Sequence, residues 1–363
     1  MKLTSLLKNA FGPIIHRKLL AIFIDDFGSI RVKNQISLKN LLNFGVRDSL
    51  YLRDTLASDI DLITLFETLY SVKDCHNRPA CTTPFTIMAN PDFEKIKKSG
   101  YQKYYREPFI NTFDRYGNGY EHAYDLWKQG QDEGVFMPAF HGTEHLNVKK
   151  WMKALQDGHQ STLLGFENEC VCIPSIEGEA AVDGMVKECD IEKVSDLDSL
   201  NEDIKIGADM FRYYIGEEPS LFTPGAGAYS PLFEPALLEC GIKYLDVARS
   251  NIQPLGDGKY IRQHHYLGQN NKLGLRFIVR NCAFEPVKGG DSAVAKCFDQ
   301  IACAFAMRKP AIISTHRLNY IGHFDESNRS ENLKRLKILL EMVKKRWPDV
   351  EFVSGKEICD LYK

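Results

Sequence analysis

The chain has 363 residues, 44% of them hydrophobic and 26% charged, enough to bury one large α/β core or two ordinary ones. Its formal net charge is −2 and its pI about 6.6; without a block of Lys or Arg, composition offers nucleic acid nothing to bind. No run of about 18 apolar residues occurs, so no membrane span is expected.

The opening MKLTSLLKNAFGPIIHRK interrupts its apolar residues with Lys8, Asn9, Gly12 and Pro13 and shows no small-residue cleavage site. It does not read as a secretory leader, and a cytoplasmic protein is expected. The ten cysteines form no CxxC pair and sit in contexts such as LLEC and QIACAF, as buried reduced thiols do.

The first predicted strand is LLAIFID (19–25), with Asp25 and Asp26 at its end. Leu62, Leu65, Phe66 and Leu69 then fall at i, i+3, i+4 and i+7, the stripe of an amphipathic helix. PFTIMA (84–89) is the second strand and FMPAFH (136–141) the third, closing on His141. The stretch HGTEH brings a second imidazole, His145, four residues on, and Val148, Trp151, Met152 and Leu155 mark the next helix.

A loop from 159 to 198 follows, of the length barrels use for function. SLNE (199–202) reads as a capping box opening the helix before the fourth strand, LFTPG (221–225). KYLDVA (243–248) carries Asp246 and is followed by Arg249. The segment 259–280 reads as a β-hairpin with a polar turn at 269–272. AIISTH (311–316) ends on His316, Leu333, Leu336, Leu340 and Val343 stripe a last long helix, and VEFVSG (350–355) is the seventh strand.

Apolar runs that each lead into a helix predict a parallel sheet buried on both faces. The fold expected is α/β, a distorted, incomplete (β/α)7 barrel, as one domain over 1–363 with the hairpin near 259–280 as an insertion. Such a barrel gathers Asp25, Asp26, His141, His145, Asp246 and His316 at one rim, the C-terminal face where barrel active sites lie.

Two histidines at i and i+4 on a turn of helix aim ring nitrogens at a common point. One carboxylate added to them makes a His2Asp set with open positions, which lowers the pKa of a water and polarises a carbonyl. A neighbouring carboxylate would take that water's proton, and a histidine opposite would protonate the leaving group. The arrangement suits hydrolysis of an amide or ester.

FIDDFG (23–28) resembles the first motif of the polysaccharide deacetylases, the NodB-homology family, and HGTEH their second. Pro224-Gly225 within FTPGAGAYSP is similar to the third motif, LDVARS to the fourth in position, and STHR to the fifth, in the family's order from residue 19 to about 355. The resemblance implies metal-dependent removal of an N-acetyl, or O-acetyl, group from a sugar or oligosaccharide. It implies Asp25 as general base, Asp26, His141 and His145 as ligands of one divalent ion, and His316 as general acid. Zn2+ is the expected ion, and the same donors accept Co2+, Ni2+ or Fe2+. The Gly225 N–H would hold the oxyanion, worth about 3 kcal/mol in comparable sites, with Asp246 and Arg249 on the substrate side.

Two positions depart from the family pattern. An arginine that orients the base usually opens the third motif, where Phe222 and Thr223 stand here, and Arg249 and Arg317 are its candidate replacements. The tryptophan usual after the fourth-motif aspartate gives way to Val247-Ala248-Arg249. Tyr229, Tyr320 and Phe27 are candidates either for stacking on a sugar or for packing. Three rival readings stay open: hydrolysis of another non-peptide C–N bond, a non-catalytic glycan-binding barrel, and a glycosidase using two rim carboxylates.

Overall fold

The computed structural model describes residues 3–363. Its main sheet holds β1 (Lys18–Phe27), β2 (Thr83–Thr86), β3 (Ala139–Phe140), β4 (Leu221–Phe222), β5 (Tyr244–Asp246), β6 (Arg276–Ile278), β7 (Cys282–Ala283), β8 (Ala311–His316) and β9 (Val350–Phe352). All seven expected strands are present, joined by two short ones, β6 and β7. Eight run in the order β6-β5-β4-β3-β2-β1-β8-β7, and β9 pairs with the base of β1. Every one of these pairings is parallel.

The two ends of that order are consecutive in the chain. Laid flat, eight strands at about 4.8 Å spacing would hold β6 and β7 about 34 Å apart. The four Cα steps from Ile278 to Cys282 reach at most about 14 Å. The sheet therefore curls into an incomplete barrel whose open seam is bridged by residues 279–281. Asn281 helps fasten that seam: its Nδ2 donates to Asn9 Oδ1 and to the Pro310 carbonyl, both at 2.8 Å, and its Oδ1 accepts from Ile312 N–H.

Burial on both faces explains the unbroken apolar strands. Leu19 to Ile24 in β1 are each at most 1% exposed. Outside the sheet, helix Asp59–Tyr70 buries Leu62, Leu65, Phe66 and Leu69, and helix Glu326–Arg346 buries Leu333, Leu336, Leu340 and Val343. Helix Val148–Gln156 buries Trp151, Met152 and Leu155. The helix expected to open on a capping box at 199 starts earlier, at Leu197, because the 3-10 turn Val194–Asp196 runs straight into it. Ser199 Oγ donates to the Asp196 carbonyl there.

The hairpin also differs from expectation. Its arms are Ser250–Gly256 and Lys259–His264, joined at Asp257 and Gly258, both at positive φ. An Asp-Gly pair suits that two-residue turn best. The turn expected at 269–272 survives only as an isolated bridge between Asn270 and Arg276, since Phe277 and Ile278 are drawn into the main sheet as β6. All ten cysteines are free thiols and eight are buried; Cys75 is exposed. Among the described residues, no helix is long and apolar enough to cross a membrane.

Candidate metal centre

In a regular strand Asp25 and Asp26 would point to opposite faces. Here the β1–β2 register shifts between Ile24 and Phe27, and Asp26 takes φ +76°. This bulge brings both carboxylates to the rim. A left-handed residue costs about 1–2 kcal/mol unless it is glycine, and Asp is among the few side chains that tolerate it. Local strain thus sets the first-strand pair.

The two imidazoles meet without a helix. Residues 141–147 form an irregular turn with Gly142 at φ +101°, and helix Val148–Gln156 begins only after Asn147, whose side chain caps Lys150 N–H. The expected helical turn across HGTEH is therefore a loop, although it brings the same two rings to one place. Their centroids lie 5.1 Å apart at 83°. Asp26 Oδ1 is 3.2 Å from His145 Nε2 and 3.6 Å from His141 Nε2. The ligand atoms of all three residues fall within 4.8 Å of one another.

A divalent ion fits this set. Metal–ligand bonds of about 2.0–2.1 Å in tetrahedral array put neighbouring donors about 3.3 Å apart. His141 Nδ1 lies 2.7 Å from the Thr223 carbonyl, which can only accept, so the ring proton belongs on Nδ1 and the lone pair on Nε2. That Nε2 is buried without a hydrogen-bond partner. A lone pair facing a buried carboxylate calls for a cation between them. Burial opposes charge on Asp26, but the two imidazoles overcome it and hold its carboxyl well below the usual range.

Arg280, in the seam, organises the other carboxylates. Its Nη1 and Nη2 grip Asp25 at 2.6 and 2.7 Å, its Nε reaches Asp246 Oδ2 at 2.7 Å, and Nη1 also meets Ser314 Oγ at 3.2 Å. Burial pushes the Asp25 carboxyl up, and Arg280 more than reverses it, leaving the carboxyl below its ordinary range. Asp246 stays raised, because its burial outweighs the shared guanidinium. Neither expected substitute for the orienting arginine does this work. Arg317 is fully buried on Asp54 and the Ser29 carbonyl, while Arg249 lines the cavity.

The parallel register places His316 directly beside Asp25, with Nε2 3.9 Å from Asp25 Oδ2. Its Nδ1 pairs with Glu285 at 2.6 Å. Burial disfavours the imidazolium, yet Glu285 and then Asp26 and Asp25 raise it to about 10. Asp25, Asp26, His141, His145, Arg249 and His316 all line one rim cavity of about 540 Å3.

Gly225 is at the rim, but its N–H donates to Glu188 Oε1 at 2.5 Å instead of facing the cavity. Glu188 comes from the long loop, and its approach is so close that a methyl at 225 would run into its carboxylate and the Val186 carbonyl. The second Glu188 oxygen is buried without a partner. Tyr229, Tyr320 and Phe27 are each at most 2% exposed, so all three pack. Arg280, Glu285 and Glu188 went unrecognised in the sequence. The first two obey the same rule as the others, a polar residue just past a strand end, and would have been found had β6 and β7 been recognised.

Neither a family model nor a curated protein matches this sequence. Solved structures do resemble the fold. A probable polysaccharide deacetylase from Pseudomonas aeruginosa aligns at 12% identity over 96% of this chain and 93% of its own, with a TM-score of 0.46. The Puue allantoinase aligns at 12% identity over 97% and 93%, also at 0.46. A 4-alpha-glucanotransferase from Thermococcus litoralis aligns at 9% identity and 0.47, with 95% of this chain spanning 40% of that one.

Proposed function

We propose that this chain is a metal-dependent hydrolase that removes an acyl group, in the first place an N-acetyl group, from a sugar. The observation that carries the reading is the convergence of the Asp26, His141 and His145 donors with Asp25 and His316 around one cavity. A divalent ion held by those three residues would supply a Lewis acid for the acyl oxygen and make a nearby water more acidic.

The chain's own groups divide the proton work. Asp25, kept ionised and oriented by both arms of Arg280, accepts the proton of the attacking water. His316, its Nδ1 on Glu285, keeps Nε2 for the cavity and gives a proton to the leaving nitrogen or oxygen. The Gly225 N–H receives the developing oxyanion only after Glu188 lets it go, so withdrawal of Glu188 is part of substrate binding. Arg280 keeps Asp25 ionised, so Asp25 does not serve as the protonated acid of a glycosidase.

The test is metal analysis of the purified protein beside acetate release from a panel of N-acetylated sugars, with a formamide and a cyclic ureide included. His141→Ala is expected to lose both ion and turnover. Asp25→Asn should retain the ion and lose turnover; an active Asp25→Asn protein would end the general-base assignment. Turnover that survives chelation would end the metal reading.

A further inference from the structure

The charges around the cavity fall into two groups. Asp25, Asp246 and Arg280 neutralise one another, Asp26 faces the two imidazoles, and His316 sits on Glu285. Lys8 and Arg249 line the same cavity, and neither side chain has a hydrogen-bond or ion-pair partner among the described residues. Both residues are half-buried. Half-buried cations away from the cavity vary: Arg106, Arg115 and Lys150 each hold two carboxylates, whereas Arg276 holds none among the described residues. A cation partly stripped of water and given no counter-ion is costly. Lys8 and Arg249 differ from Arg276 in lining one cavity, where they are the charges left available to an anion.

Topology places these two cations on the two sides of the seam. Arg249 follows β5, next to the edge strand β6. Lys8 precedes Asn9, which is bonded to Asn281 in the seam. The metal donors come from β1 and the loop after β3, the strands on either side of β2, which is the part of the sheet farthest from the seam in the strand order. A molecule with its acyl group at the donors would therefore direct its far side towards Lys8 and Arg249. A cavity of about 540 Å3 has room for a sugar between them.

We propose that the substrate is an acylated sugar carrying an oxyanion, a phosphate ester or a carboxylate, and that Lys8 and Arg249 bind that oxyanion across the cavity from the metal donors. The acyl half of this assignment rests on the deacylase reading; the oxyanion seat does not. Charge-assisted contacts of this kind favour the charged ligand by about tenfold per cation. The preference should weaken with salt, because the seat is open to solvent.

The experiment uses metal-loaded full-length protein and calorimetric titration with three probes: N-acetylglucosamine 1-phosphate, an N-acetylhexosaminuronic acid, and neutral methyl N-acetylglucosaminide. One charged probe should bind at least tenfold more tightly than the neutral one, and which of the two does so identifies the oxyanion. In the Lys8→Gln/Arg249→Gln protein the ratio of charged to neutral affinity should collapse towards one. The charge-keeping pair Lys8→Arg/Arg249→Lys should retain the ratio. Equal binding of all three probes, or a ratio that survives the double glutamine change, would overturn the proposal. An intact ratio without acetate release from any probe would support the seat and refute the deacylase reading. Acetate release with no ratio would do the reverse.

Discussion

Replacing Arg280 with glutamine tests the centre of the site through stability as well as chemistry. The guanidinium is 11% exposed, and the carboxylates it neutralises, Asp25 and Asp246, are 14% and 4% exposed. Glutamine would keep part of the hydrogen bonding and none of the charge, so two buried carboxylates would face each other. Breaking a buried ionic group by removing one partner costs about 3–5 kcal/mol. In a chain of 363 residues, whose unfolding entropy is about 2.1 cal/mol/K per residue, this lowers Tm by about 4–7 °C. Asp246→Asn made alongside relieves the repulsion, so the two changes together should cost about 1–3 kcal/mol less than their sum. Freed from its bidentate hold, Asp25 should also lose about 10²-fold in kcat. Metal content should be unchanged, because Arg280 bonds to none of the three donors. The assay is denaturant or thermal melting of the parent, both single variants and the double, beside acetate release. Strict additivity, with Arg280→Gln melting within about 1 °C of the parent, would refute the view that this one charge permits both carboxylates to be buried.

Glu285→Gln should lower the His316 pKa in metal-free protein. The raised value of about 10 against an ordinary 6.5 means that this pair stabilises the fold fully below about 6.5 and ceases to do so as pH rises through 10. NMR titration of the imidazole checks it, and an unmoved midpoint would remove Glu285 from the account. His265 is 3% exposed, its ring centroid 4.2 Å from that of Phe277 and tilted by 42°, and it is held down to about 4 by burial and then by His264. The unfolded chain takes up that proton first, so stability should fall as pH drops from about 6.5 to about 4, and His265→Leu should flatten that loss in melts across the same window. Glu188→Ala should free the Gly225 N–H and lower the inhibition constant of acetate several-fold; an unchanged constant would mean that Glu188 does not guard that amide.

The long staves were legible because burial on both faces leaves an unbroken apolar run, as in β1 and β8. Length alone did not decide the rest, since β3 and β4 have two residues each and were expected, while β6, with three, and β7, with two, were not. Arg280 was hidden with β6, since a stretch read as the second arm of a hairpin gave no reason to look at its end. The candidate metal donors were readable by residue type, yet their approach was not. A His-x-x-x-His spacing suggested a helical turn, whereas the positive φ at Gly142 breaks the chain into a loop. The bulge at Asp26 likewise depends on pairing with β2, which no local pattern records. Glu188 was beyond reach because its contact with Gly225 joins residues 37 apart through a loop with no periodicity.

Where a closed barrel would pair its two edge strands, this one has a gap, and the guanidinium that balances two acids emerges from it. The neighbouring asparagine latch, Asn281 to Asn9, ties that gap to the short N-terminal helix Leu3–Asn9. On the proposed mechanism, slackening the latch would detune proton transfer while sparing Asp26, His141 and His145, so reactivity and metal retention would be adjustable from separate places in the molecule.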